Sequence, residues 1–438
     1  FPQHPQAIPA LTHSAQQAFD LGDGEAAAAA AEQLLAVNTL PAETRLIALR
    51  IAGHTAFDRG DFLAAENAYR TALNLAAPNG DERRQIGDRL AASLYKQGEQ
   101  RRQTGDLAGA AAAFLRTART VPDSAMAATA QFDAAAVLVE LQRWPEAIEA
   151  LQTFRQQFPG HEQQAEVTRR LAATYLAADR NDAAAAEYLQ VADAAATPEL
   201  RRAALWQAAE LYRGAGQREQ AYATFKRYAE EFPVPVGQQI EAYQQLLELA
   251  LEAGHHKSAR TWRRAIIQAD ADAGRARSDR TRFLAAHAAL ALAELPREAY
   301  DQVRLVEPLQ ENLRKKKANF QKTLAAYERA AAYKVAAVVT QANYVIAALY
   351  ADFGRALLES ERPRGLKGEA LAEYDVLLEE EALPFENKAI ELHEINANRA
   401  AEGIYDDWIR KSFEALADLV PARYAKQERS DAIVETLY

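Results

Sequence analysis

A short pattern returns along this chain at near-regular intervals, and it fixes the class of fold. Gly60-Asp61-Phe62-Leu63-Ala64-Ala65 is followed by Tyr69, Ala72 and Leu73. Gly105-Asp106-Leu107-Ala108-Gly109-Ala110 is followed by Phe114, and Gly216-Gln217-Arg218-Glu219-Gln220-Ala221 by Phe225. A turn residue, an alanine five positions on and a large apolar residue four further describe one helix-turn-helix unit used again. A single such unit cannot bury its own apolar face, so neighbours must stack into a solenoid. Solenoids offer long binding surfaces rather than closed reaction chambers.

Taking the turn residue as anchor, the units centre on Gly22, Gly60, Gly105, Gln142, Arg180, Gly216 and Gly254, with successive steps of 38, 45, 37, 38, 36 and 38 residues. Glycine suits a tight interhelix turn that needs positive φ. The aspartates that follow, Asp23, Asp61 and Asp106, are predicted to cap the second helix of each pair. Ala27, Ala65, Ala110, Ala147, Ala221 and Ala259 stand five residues past their anchors, where a small residue lets two helices approach. Tyr69, Phe114, Leu151 and Phe225 come one turn later. Pro78, Pro122, Pro159 and Pro233 end the second helices, because proline cannot continue a helix without losing a hydrogen bond.

Composition agrees with an all-helical chain. With 438 residues, one compact core is too small an organisation. The 16 prolines and 19 glycines are too few for a turn-rich β fold, and alanine, the strongest helix former, is abundant. A net charge of −10 argues against a nucleic-acid partner, which needs a basic face. The absence of cysteine excludes disulfides and thiolate zinc sites. Val335 to Ala351 carries no charge but falls short of the roughly 20 apolar residues of a membrane span. It reads as a central core helix, and no transmembrane span is expected.

The repeat resembles the tetratricopeptide repeat. The likeness rests on Gly53 and Gly98 near the eighth position, on small residues in both helices, on the aromatic of the second helix and on the terminal proline. Arg143-Trp144-Pro145-Glu146-Ala147-Ile148 takes the place of the usual Gly-Asp-Tyr-x-x-Ala-Ile. The steps exceed the customary 34 residues, which is similar to repeats of bacterial envelope proteins. The resemblance implies a right-handed α-solenoid over residues 8–274, after a flexible lead at 1–7. A C-terminal region of longer helices with degenerate repeats, 275–438, is expected to follow. In that region Ser278–Leu295 reads as a helix ended by Pro296, Val306–Ala332 and Tyr333–Glu361 as long helices, Arg362–Gly368 as a loop, and Pro384 and Pro421 as brackets around two or three more. The stretch Leu378–Glu394 is similar to C-terminal segments of periplasmic repeat proteins of Tol-like and gliding-type machines.

No catalytic, cofactor or metal site emerges. His393-Glu394 begins like a zinc-protease helix, but position 397 is alanine, so a solvated helix face is expected. His255-His256 are adjacent and point apart on a helix. Leu21-Gly22-Asp23-Gly24 follows no strand and is an interhelix turn, not a phosphate loop. Arg314-Lys315-Lys316-Lys317, with Lys322, reads as a solvated basic collar, with anionic lipid headgroups as the alternative contact. Glu379-Glu380-Glu381 reads as a soluble face.

In the tetratricopeptide family the first helix of each pair lines the concave face. Ten residues before each anchor stand Arg50, Tyr95, Phe132, Arg170, Trp206 and Gln244, residue types that include the aromatics and arginine favoured at binding hot spots. Four residues on come His54, Glu99, Thr174, Glu210 and Glu248. The expected partner-binding row is Arg50, His54, Tyr95, Glu99, Phe132, Arg170, Trp206, Glu210 and Gln244; packing between repeats is the competing role for Phe132 and Trp206. The row lacks the Lys and Asn pair with which chaperone-binding repeats grip a C-terminal carboxylate. The expected function is a non-enzymatic envelope scaffold that holds a protein or peptide partner. The alternative is a lipid carrier, motivated by Val335–Ala351 and by Tyr327, Tyr333, Tyr344 and Tyr350. A periplasmic chain, tied to the outer membrane through an N-terminal anchor outside this sequence, is the expected location, with the cytoplasm left open.

Overall fold

The computed structural model describes residues 6–425, and every regular element among them is helical. Of the expected N-terminal lead, residues 1–5 lie outside the described residues. The chain divides into two units, Phe1–Ala221 and Tyr222–Tyr438. The first holds α1 (Ala7–Asp20), α2 (Gly24–Leu35), α3 (Ala42–Asp58), α4 (Phe62–Leu75), α5 (Asp81–Gln103), α6 (Leu107–Thr120), α7 (Ala125–Glu140), α8 (Trp144–Gln157), α9 (Gln164–Ala177), α10 (Asn181–Asp193) and α11 (Pro198–Gly214). Each helix packs on the next, and first helices also meet first helices, α1 with α3 and α5 with α7. The division falls within α12 (Arg218–Glu231).

The turns are built as the repeat requires. Gly22, Gly60, Gly105, Gly216 and Gly254 all take positive φ, between 70° and 82°. Gln142 does so at 57°. The fifth turn corrects the sequence register: the left-handed residue is Asp179, at φ 56°, and Arg180 is the cap of α10. Aspartate tolerates this conformation better than most side chains. With Asp179 as anchor, Ala184 falls five residues on and is fully buried, as Ala27, Ala65, Ala110, Ala147 and Ala221 are. Asp23, Asp61 and Asp106 accept from the backbone N–H three residues on, at 2.9–3.0 Å.

The close approach of paired helices is tightest at two glycines. A Cβ on Gly53 would lie 2.7 Å from the Tyr69 ring, and one on Gly98 would lie 2.5 Å from the Phe114 ring. Both rings are buried. Around the first of these contacts, Leu46, Leu49, Ala65, Ala72, Ile86, Leu90 and Leu94 form one continuous core.

The second unit continues with α13 (Val236–Glu252), α14 (His256–Asp272), α15 (Asp279–Asp301), α16 (Leu309–Ala331), α17 (Ala336–Leu358), α18 (Glu369–Asn398), α19 (Asp407–Leu419) and α20 (Pro421–Tyr424). Two expected breaks are absent. Pro296 lies inside α15 and Pro384 inside α18. Ala293 and Tyr300 are buried on either side of the first, and Ala382 and Ala389 on either side of the second, so packing holds each helix together across the missing donor. Pro308 marks a boundary instead: it is the N-cap residue of α16, so that helix begins at Leu309 rather than at Val306.

The uncharged stretch is a core helix. Val338, Ala342 and Ile346 of α17 join Ala286, Leu290 and Tyr327. Leu349, Phe353 and Leu357 join Tyr300, Phe320 and Ala382. Among the described residues no helix is long and apolar enough to cross a membrane. The four tyrosines of this region are engaged in packing: Tyr327 is buried and donates to Glu294 at 2.6 Å, Tyr344 meets Trp408, Tyr350 meets Phe320, and Tyr333 packs against the core that α17 shares with Leu290.

Two side chains expected in solvent are inside. Lys316 is buried; its Nζ donates to the Val303 carbonyl at 2.9 Å and lies 3.9 Å from the centre of the Tyr300 ring. Burial holds its pKa below the ordinary lysine value, so it is not part of a basic collar. His393 is 2% exposed and sits against Tyr344. Burial pushes its pKa down to about 4.

Two outcomes follow from this packing. Gly98→Ala should lower the denaturant midpoint: overpacking costs about 1–3 kcal/mol, which outweighs the ~1 kcal/mol of gained helix propensity. His393 is neutral when folded and takes up a proton when unfolded near pH 6.5. The second unit should therefore keep its stability above that pH and lose roughly 3 kcal/mol as pH falls from there to about 4. Thermal melts across this range, with His393→Leu showing a shallower decline, check it.

Candidate functional site

The expected row falls on successive first helices: Arg50 and His54 on α3, Tyr95 and Glu99 on α5, Phe132 on α7, Arg170 on α9, Trp206 and Glu210 on α11. Gln244 lies on α13 of the second unit, where its amide donates to Glu248 at 2.9 Å. Every one of these residues is partly or fully exposed. None is lost to the core, although with Asp179 as the fifth anchor Arg170 stands nine rather than ten residues before its turn.

Within the first unit the structure links the rungs. The Arg50 guanidinium pairs with Glu82 of α5 at 2.7 Å. The Tyr95 hydroxyl donates to Asp133 of α7 at 2.6 Å, and its ring packs on Phe114. The Arg170 guanidinium lies 4.4 Å from the centre of the Phe132 ring and also pairs with Glu166. Phe132 meets Phe154 at 6.0 Å between ring centres. Three consecutive joints between first helices are thus bridged by side chains of the row. Burial, reinforced by the bond to Asp133, holds the Tyr95 hydroxyl protonated well above its ordinary range. Glu99 pairs with Lys96 on its own helix, and Glu210 is exposed. Thr174 leaves the row: it is 3% exposed and its hydroxyl donates to the Arg170 carbonyl of its own helix.

The row opens into cavities at its N-terminal end. One of about 400 Å³ is lined by His13, Gln16, Phe19 and Asp20 of α1 and by Ile47, Arg50 and His54 of α3. A second, of about 250 Å³, shares Arg50 and His54 and adds Tyr69, Gln85, Asp88 and Arg89. His54 is the partition between them. Its Nδ1 lies 2.9 Å from both the Arg50 carbonyl and the Tyr69 hydroxyl, and its ring stands edge-on to Phe19. Burial holds its pKa below the ordinary histidine value, with the positive charge of Arg89 and Arg50 adding to the shift. A neutral imidazole, a guanidinium, amide side chains and an aromatic edge suit the carbonyls, carboxylates and apolar side chains of a peptide.

Sequence reasoning missed the α1 side of this site. Carrying the row back to Gly22 gives Thr12 and Gln16, and Gln16 lines the larger cavity. Arg89 belongs to no position of the row and became visible only when α5 was placed beside α3. Among the described residues no three His, Asp or Glu side chains come together to hold a metal ion.

Residues 88–242, about a third of the chain, match a family model described as YfiO, an outer membrane lipoprotein. No curated protein matches the chain. Solved structures that align with it include a tetratricopeptide repeat protein from Parabacteroides merdae, at 13% identity over 76% of this chain and 98% of that one, with a TM-score of 0.24. Another is the C-terminal part of a TPR repeat-containing protein from Cytophaga hutchinsonii, at 12% identity over 60% of this chain and 97% of that one, TM-score 0.25. BtubC from P. vanneervenii aligns at 19% over 51% of this chain and 91% of that one, also with a TM-score of 0.25. The helix pairs from α1 to α14 have the turns and small-residue contacts of a tetratricopeptide-type repeat, and over residues 88–242 the sequence is similar to that lipoprotein family.

Tyr95→Phe tests whether the row is structural as well as exposed. Losing the bond to Asp133 should cost about 0.5–1.5 kcal/mol in urea denaturation and leave the helical circular-dichroism signal unchanged.

Proposed function

We propose that this chain is a non-enzymatic scaffold of the bacterial cell envelope that holds a peptide segment or partner domain along the first-helix row, on the concave face of a repeat array spanning residues 8–274. The observation that carries this reading is the pair of adjoining cavities divided by His54, at the end of a row of half-exposed Arg, Tyr, Phe and Trp side chains. Such residue types carry most of the binding energy at interfaces. A partner must compete with the bridges already made between rungs. The Arg50–Glu82 pair is the cheapest of these to break, since both side chains are about two-fifths exposed and a surface pair contributes only about 0–1 kcal/mol.

Similarity to an outer-membrane lipoprotein family over residues 88–242 supports an envelope location and a protein partner. Attachment to the outer membrane through an N-terminal anchor, with the chain in the periplasm, belongs to the same reading. The lipid-carrier alternative gains no support from α17, whose apolar residues and neighbouring tyrosines fill helix interfaces.

Photo-crosslinking residues placed at Arg50, Tyr95 and Trp206 should capture one common envelope protein. The same residue at Leu63 and Arg119, exposed on second helices, should not. Arg50→Ala combined with His54→Ala should weaken capture by tenfold or more, and Glu82→Ala should preserve or strengthen it. Equal crosslinking from both helix sets would remove the row as the binding face.

A further inference from the structure

The repeat register breaks at one position of the seventh pair. Nine residues past the left-handed turn residue stand Ala31, Tyr69, Phe114, Leu151, Tyr188 and Phe225 in the first six pairs. All are buried except Tyr188, which is partly so. Nine residues past Gly254 stands Arg263, a guanidinium where the other pairs carry an apolar or aromatic side chain.

A cavity of about 430 Å³ opens beside it, lined by His256, Arg260 and Arg263 of α14 and by Ala291, Glu294, Leu295 and Glu298 of α15. Spacings of four and three residues put the basic groups on one helix face, and a spacing of four puts the two glutamates on the facing one. Elsewhere in this protein facing charges close on each other across neighbouring helices. Arg155 grips Glu187 at 2.6 Å, and Arg280 grips Glu241 at 2.7 Å. Here they stay apart: among the described residues the side chains of Arg260, Arg263 and Glu298 make no ion pair or hydrogen bond. Glu294 receives only the Tyr327 hydroxyl, on one oxygen. Arg263 is half-buried, and burial lowers its pKa with no carboxylate to offset the effect. A partly desolvated cation without a counter-charge is a cost that an incoming anion relieves.

We propose that this cavity binds a zwitterion of the amino-acid or short-peptide class. Its carboxylate is held by Arg260 and Arg263, its ammonium by Glu294 and Glu298, and its body lies over Ala291 and Leu295. Two guanidiniums supply charge-assisted, bidentate donors for a carboxylate, two carboxylates accept from an ammonium, and the volume lies within the roughly 300–1,000 Å³ of small-molecule sites. None of the row residues lines this cavity, so it stands or falls independently of the partner-binding face.

Ligand-observed NMR and calorimetry on the full chain, with triglycine as the probe, test the proposal. Saturable binding is expected, weakened at least tenfold when triglycine is N-acetylated and likewise when its C-terminus is amidated. Arg263→Met restores an apolar residue at this register position and should fold normally while losing the probe; Glu298→Gln, on an exposed position, should lose it too. Retained binding in both variants would overturn the site. Absence of saturable binding, or equal binding of the capped peptides or of glutarate, would overturn the zwitterion assignment.

Discussion

The structure depends on how closely the two helices of a pair can approach. Two pairs place a residue without bulk against the widest side chain of its partner helix, Gly53 under Tyr69 and Gly98 under Phe114. A buried alanine five residues past each turn lets the second helix lie close as well. The left-handed turn residue aims the second helix back along the first, and the aspartate cap satisfies its opening amides. Once this distance is set, the outward positions of the first helices fall into a row without further specification, because the helical period carries the same face from pair to pair.

Under the proposed function that row serves two purposes at once. Arg50, Tyr95 and Arg170 reach across to Glu82, Asp133 and Phe132, so the exposed groups that a partner would meet also brace one first helix against the next. Bracing keeps long side chains ordered, which lowers the entropy a partner must remove on binding. The buried carboxylates lie on the other layer: Glu66 receives Gln97, Arg116 and Arg70, and Glu187 receives both nitrogens of Arg155. At these contacts charge is neutralised where helices meet. The unclosed charges between α14 and α15 stand out against that background.

The second unit departs from the repeat by lengthening its helices. α15, α16 and α17 each run 23 residues, and α18 runs 30. Their greater length encloses groups that shorter pairs would leave wet. Lys316 is capped by carbonyls and a tyrosine ring, and His393 is held neutral between α17 and α18. The same packing lets α15 and α18 continue through proline, as the burial on both sides of the lost hydrogen bond outweighs it.

The sequence by itself determined the helical class, six of the seven turn anchors, the caps and the small-residue contacts. These depend on spacings of four to ten residues within one pair, where local geometry leaves few alternatives. It also gave the exposure of the first-helix row, since one helical period decides which positions face away from the pair. Only the tertiary structure decided that Asp179 rather than Arg180 turns the fifth pair, that Pro296 and Pro384 do not stop their helices, and that Lys316 and His393 are inside. It alone brought Gln16 and Arg89 to the cavities beside His54, and set Arg260 and Arg263 opposite Glu294 and Glu298. Each of these outcomes depends on which neighbour a residue meets from another helix, and the free energy of that meeting is not written in the residue's own surroundings along the chain.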